Sequence, residues 1–196
     1  MPLKRPSNII LSAIFLSFLL LIDQWIQADL LFLRDNIQQG EWWRVWTGNL
    51  VHTNYYHLGM NLAGFWIFIF IFKDLINSTQ FLVSLLLLIT GVGFGLYYLS
   101  PQLMWYAGIS GALYGLYIVG SAYALLDKDF ITGLTIMVVI PSKIIWDHIY
   151  KTGQTNADLI GVPVSTDAHI YGISTAFLIA AMVLLQYFYN LKTQES

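Results

Sequence analysis

Apolar residues in this chain gather into six blocks, and the polar residues collect between them. Crossing ~30 Å of hydrocarbon takes roughly 20 apolar residues in a helix. On that measure the pattern predicts spans over about 9–26, 55–72, 81–99, 109–126, 131–149 and 169–189. Lys4 and Arg5 precede the first block, as in a signal peptide. That block runs on into "LIDQWIQADL" with no small-x-small cleavage site, so it reads as a retained span. The fifth block is interrupted by Pro141 and ends in the polar "SKIIWDHIY". An even number of spans puts both termini on one side of the membrane.

Composition strengthens this picture. Of 196 residues, 57% are hydrophobic and 10% charged, whereas a soluble domain is about one-quarter charged. The expected fold class is an all-α membrane protein, a bundle of six transmembrane helices forming a single membrane domain over residues 1–196. Too little chain remains for a separate soluble domain. The net charge of −2 gives no reason to expect a nucleic-acid partner; the lipid bilayer is the expected surroundings. The absence of cysteine excludes disulfides, thiolate catalysis and thiolate metal sites. No cofactor or metal is expected: there is no H-E-x-x-H, and His52 and His57, five apart, do not share a helical face.

The connections carry weaker signals. The stretch between the first two spans holds Trp42, Trp43 and Trp46, which suit a membrane–water boundary. "KTGQTNADLIGVPVSTD" is polar and contains Gly and Pro, hence a loop. Lys4, Arg5, Lys73, Lys128 and Lys192 fall on one side, Arg34, Arg44 and Lys151 on the other, with Lys143 near the end of the fifth span, so the first side leads narrowly. This balance places both termini in the cytoplasm.

Polar groups inside spans are costly and mark functional candidates. Three clusters stand out: "HTNYYHLGMN" with His52, His57 and Asn61, "GISGALYG" with Ser110 and Tyr114, and "DAHIYGISTA" with His169. They open spans two, four and six. Alternate spans run in the same direction, so all three clusters start at one membrane face, the outer one on this orientation. His57 and Asn61 share a helical face at i, i+4, as do Ser110 and Tyr114. Gly111 and Gly115, and Gly172 and Ala176, form small-xxx-small pairs that let helix backbones approach in lipid. Packed through them, spans four and six bring Ser110 towards His169. A serine needs a base to become a nucleophile, and imidazole is the usual one. Glycines around Ser110 admit a substrate carbonyl, and the helix start offers unpaired N–H groups to an oxyanion. His57, Asn61 and Gly108 are the expected oxyanion contributors. Asp167 reads as a cap of the sixth span, which leaves a Ser–His dyad without an acidic third member.

Taken singly, each cluster has a plainer reading. Gly-x-Ser-Gly serves helix packing, a histidine at a span end is interfacial, Asn61 cross-links helices, and Tyr114 is a core aromatic. Three clusters at one face favour chemistry over these readings. A client-binding protein without activity and a small transporter are the alternatives to an enzyme. The transporter is disfavoured because no charge is expected mid-span.

The ordered set of motifs resembles the rhomboid intramembrane serine proteases. It comprises "WWR" at Trp42–Arg44, H-x4-H-x3-N at His52, His57 and Asn61, G-x-S-G-x2-Y from Gly108 to Tyr114, and A-H-x2-G from Ala168 to Gly172. The resemblance implies Ser110 as nucleophile, His169 as general base, and His57 and Asn61 as oxyanion donors. It further implies that Tyr114 stacks on His169, that His52 is a structural hydrogen-bonding residue, and that Gly111 and Gly172 support the packing. Ala176 stands where that family usually has glycine, which puts the Ser110–His169 distance in question. "IGVPVSTDAHIYG" is similar to rhombosortases, a bacterial subgroup thought to process surface proteins with a Gly-Gly-containing C-terminal anchor. That implies a transmembrane or C-terminally anchored protein substrate, a bacterial inner-membrane location, and a site near the periplasmic face.

Overall fold

The computed structural model describes residues 9–150 and 154–194. Lys4, Arg5 and Lys151, which enter the charge balance, lie outside the described residues. The chain is an all-α membrane bundle. α1 (Ile9–Ile22) passes through a 3-10 turn at Asp23–Ile26 into α2 (Gln27–Leu30), forming one apolar segment. The long first connection folds into α3 (Arg34–Gln38) and α4 (Arg44–Thr47). There follow α5 (Tyr55–Phe72), α6 (Ser78–Leu99), α7 (Ser110–Leu126), α8 (Phe130–Tyr150), α9 (Gln154–Ile160) and α10 (Thr166–Gln194). Five segments are long and apolar enough to cross a membrane, and α7 is a shorter apolar helix of 17 residues. Pro141 lies inside a continuous α8. The protein is thus an integral, multi-pass membrane protein.

One small sheet departs from the all-helical expectation. β1 (Phe32–Leu33) pairs antiparallel with β2 (Trp105–Tyr106), Phe32 opposite Tyr106 and Leu33 opposite Trp105. Two residues per strand carry no readable alternation.

Local chemistry sets the helix starts. Asn54 caps α5 by accepting from the His57 N–H at 2.9 Å. Asn77 and Gln80 form a reciprocal capping box on α6. α10 is capped by Ser165, whose hydroxyl accepts from the Ala168 N–H at 3.4 Å. The expectation that Asp167 caps this helix is therefore corrected. Asp167 sits within the first turn and instead accepts from the Ser100 hydroxyl at 2.5 Å, tying α10 to the end of α6.

The first connection is pinned by two buried arginines. Arg34 donates to the carbonyls of Leu96, Tyr97, Ser100 and Leu103. These lie at and beyond the C-terminus of α6, where carbonyls lack helical partners and the helix dipole favours a cation. Arg44 serves the carbonyls of Ala28 and Leu31 and pairs with Glu41. Of the tryptophans, Trp42 and Trp43 are partly exposed, while Trp46 donates to Thr90 at 2.9 Å and packs edge-on against Phe94.

α7 lies at the centre. Twelve of its seventeen residues are buried, most of them small. Its tightest neighbour is α10. A Cβ on Gly111 would meet the Ala168 carbonyl at 2.5 Å, and one on Gly172 would overlap the Gly111 carbonyl. Only glycine fits where two backbones touch this closely.

Candidate active site

The seam between α7 and α10 brings Ser110 and His169 together. The Ser110 hydroxyl lies 2.9 Å from His169 Nε2. Ser110 is the first residue of α7 and His169 lies in the first turn of α10. The glycine contacts bring the two parallel helix starts to one level. Ala176 does not hold the helices apart. It is fully buried one turn beyond Gly172, and the dyad distance is that of a normal hydrogen bond. The Tyr114 ring contacts the His169 imidazole at 4.7 Å, edge-on at 65° rather than stacked face to face.

These groups open onto a cavity of about 660 Å³, which also reaches Thr53, His57, Asn61, Tyr106, Ile160 and Ser165. The floor lies deeper in the bundle, where the Tyr117 hydroxyl donates to the Gly64 carbonyl at 2.8 Å. Asn61 is 6% exposed, and its Nδ2 has no partner among the described residues. A buried amide nitrogen without an acceptor carries a desolvation penalty that an incoming oxyanion would relieve.

Gly108 plays a different part from the one expected. Its N–H donates to the Gly48 carbonyl at 3.0 Å, so it offers no free donor. Its φ of +130° is a conformation side chains rarely adopt, and a Cβ would meet His57 Cε1 at 2.7 Å and Nε2 at 2.9 Å. Glycine here provides room for the His57 ring beside the start of α7. The Gly108 carbonyl accepts from the Tyr106 hydroxyl at 2.5 Å, and burial pushes the Tyr106 phenol above its ordinary range. His52 is fully buried, with its ring 5.0 Å from that of His57. Neither of its ring nitrogens has a hydrogen-bond partner among the described residues. Burial first, and the neighbouring His57 second, push its pKa down to about 3. Its hydrogen bonds run through the backbone: the His52 N–H donates to Gln24 Oε1 at 3.2 Å and its carbonyl accepts from Gln27.

Sequence reading missed three contributors. Lys143, well inside α8, places its ammonium 5.6 Å from the centre of the Tyr114 ring and pairs with Asp147 one turn on. Both residues lie in the C-terminal half of α8, as a charge near the end of the fifth span would. An i, i+4 Lys–Asp pair in an otherwise apolar span was the available signal. The Tyr171 hydroxyl joins Ser100 at 2.9 Å, beside the Ser100–Asp167 bond. Thr53 contacts both His57 and Ile160. No group of acidic and histidine side chains able to hold a metal ion occurs among the described residues.

No curated protein matches the chain. A rhomboid domain model matches residues 39–186, which takes in α4 to α9 and most of α10 along with every residue around the cavity. Three-quarters of the sequence being covered, the chain belongs to the rhomboid family, whose members are intramembrane serine proteases acting on membrane-protein substrates within the bilayer.

Proposed function

We propose that this chain is an active serine endopeptidase in which Ser110 is the nucleophile and His169 the general base. The observation that carries this reading is the 2.9 Å contact between Ser110 Oγ and His169 Nε2 at the cavity wall. His169 Nε2 takes the hydroxyl proton as Ser110 Oγ attacks a substrate carbonyl. Asn61 Nδ2, His57 and the N–H groups of the first turn of α7 are the donors for the resulting oxyanion. His169 then returns the proton to the leaving amine, and water releases the acyl group by the reverse sequence. Tyr114 holds the imidazole in place, while Gly111 and Gly172 hold the two helices in contact.

The substrate is a membrane-anchored protein with a locally unwound stretch, since a helical carbonyl is already hydrogen-bonded. The rhombosortase resemblance of "IGVPVSTDAHIYG" narrows this to surface proteins with a Gly-Gly-containing C-terminal anchor. Glycine lowers helix stability by ~1 kcal/mol per residue and eases the unwinding. With both termini cytoplasmic, the site faces the periplasm from a bacterial inner membrane. The whole of residues 1–196 then works as one membrane domain.

A fluorophosphonate probe on the purified protein tests the chemistry. Wild type should be labelled, while Ser110→Ala and His169→Ala should not. Labelling that survives both changes overturns the enzyme reading and leaves client binding. Co-expression with a Gly-Gly-tailed surface protein tests the substrate, read as the mass of its C-terminus. An unprocessed anchor beside a labelled Ser110 removes the subgroup and keeps the protease.

A further inference from the structure

α9 ends against the start of α5. Gly161, at φ +76°, closes the helix with its N–H on the Ala157 carbonyl at 2.8 Å. The last two carbonyls are taken by residues just before α5: Asn54 Nδ2 donates to Leu159 O at 3.3 Å, and Thr53 Oγ1 donates to Ile160 O at 3.1 Å. Ile160, Val162, Pro163 and Val164 line the cavity, so this docked segment caps it. Thr53 Oγ1 also lies 3.2 Å from His57 Nδ1.

A threonine hydroxyl has one proton to give. A carbonyl can only accept, so the bond to Ile160 uses that proton. Thr53 Oγ1 can then only accept from His57, which puts the imidazole proton on Nδ1. The competing arrangement has the Thr53 backbone N–H donating to Nδ1, but at 3.5 Å it is the longest of the three contacts. With the proton on Nδ1, Nε2 is a bare lone pair. Nε2 is also the nitrogen on the Gly108 side, next to the start of α7. In this docked arrangement His57 has no N–H to offer an oxyanion there.

We infer that Thr53 is a positioning residue that makes the proton location on His57 depend on whether the cap is docked. Docked, Thr53 gives its proton to Ile160 and holds His57 in the Nδ1–H form. When an entering substrate lifts the segment from Ile160 onward, the hydroxyl is released to donate to Nδ1. The ring proton then moves to Nε2, where it can be given to the oxyanion. No proton is gained or lost overall; solvent exchanges the ring proton between nitrogens. Substrate entry thereby completes the oxyanion site. The inference rests on His57 acting as an oxyanion donor in the proposed reaction.

Nitrogen NMR of ¹⁵N-histidine-labelled full-length protein in nanodiscs reads the proton position directly, with the His57 signal assigned by its loss in His57→Gln. Expected are an Nδ1–H ring in resting wild type and the same in Thr53→Ser. Thr53→Val, which keeps the shape but loses the hydroxyl, should show Nε2–H, because only the backbone donor then faces Nδ1. Thr53→Val should also react with the fluorophosphonate about twofold to tenfold faster, the worth of one hydrogen bond released from the cap; a merely structural role predicts slower reaction. Nε2–H in resting wild type, or a Thr53→Val ring identical to wild type, overturns the inference. The NMR result stands whether or not Ser110 is labelled, so failure of the protease reading is seen separately.

Discussion

α7 and α8 are neighbouring apolar helices of similar length that behave as opposites. α7 buries twelve of its seventeen residues, and its glycines let α10 come into backbone contact. α8 buries only Gly133 and Ile144 among its 21 residues, and turns Ile131, Leu134, Val138 and Ile145 outward. One helix is locked on several sides by shape; the other packs against it along one face, at Gly133 and through an ammonium over the Tyr114 ring, and leaves the rest outward. The difference shows that hydrophobicity in a lipid-bound chain says little about which helix is structural. Lipid is as apolar as leucine, so close packing of small residues decides the matter.

This contrast is most easily broken at the glycine seam. Gly172→Leu should destabilise the protein by about 3 kcal/mol or more, the upper end of overpacking costs, and should abolish Ser110 labelling. Thermal unfolding in detergent checks it, and a wild-type midpoint would show that the seam does not hold the dyad. Asn61→Ala acts on the same rigid side without touching the packing. It should lower kcat about 10²–10³-fold, the worth of one oxyanion donor, with the unfolding midpoint kept. Unchanged kcat removes Asn61 from the site.

The looser side should respond more mildly. Lys143→Met should lower kcat/KM about twofold to fivefold, as for a partly exposed cation–π contact, mainly through KM, with Lys143→Arg restoring it. A large fall in kcat would mean that α8 is as rigidly coupled to His169 as α7 is. His52 offers a pH test of the rigid side. Its folded pKa of about 3 lies below the ordinary 6.5, so the unfolded chain binds more protons between those values. The stability His52 contributes as a neutral ring is complete above pH 6.5 and is lost as pH falls towards 3. His52→Gln should flatten the dependence of the unfolding midpoint on pH over that window. The smallest effect is expected at Ile131, 84% exposed on α8. Ile131→Ala should change stability by less than about 0.5 kcal/mol.

Much of the site was legible because membrane topology reduces three dimensions to two. Once spans are counted, His57, Asn61, Ser110 and His169 fall at one level without any knowledge of the fold. The small-xxx-small pairs then name α7 and α10 as the helices that meet. What stayed hidden depended on contacts between connections. Arg34 reads as a loop charge until the carbonyls at the end of α6 surround it. Asp167 reads as a cap until Ser100 takes it. Gly108 reads as an oxyanion donor until Gly48 claims its N–H.

The sequence by itself determined that this is a multi-pass helical membrane protein, and which polar residues share a face. Hydrophobic length and helical period act within a single segment and need no partner. Only the tertiary structure decided that Ser110 and His169 lie 2.9 Å apart, that Lys143 reaches Tyr114, and that Thr53 joins His57 to the cap. Those outcomes depend on the ångström-level approach of backbones far apart in the chain, which follows from packing rather than from any local pattern.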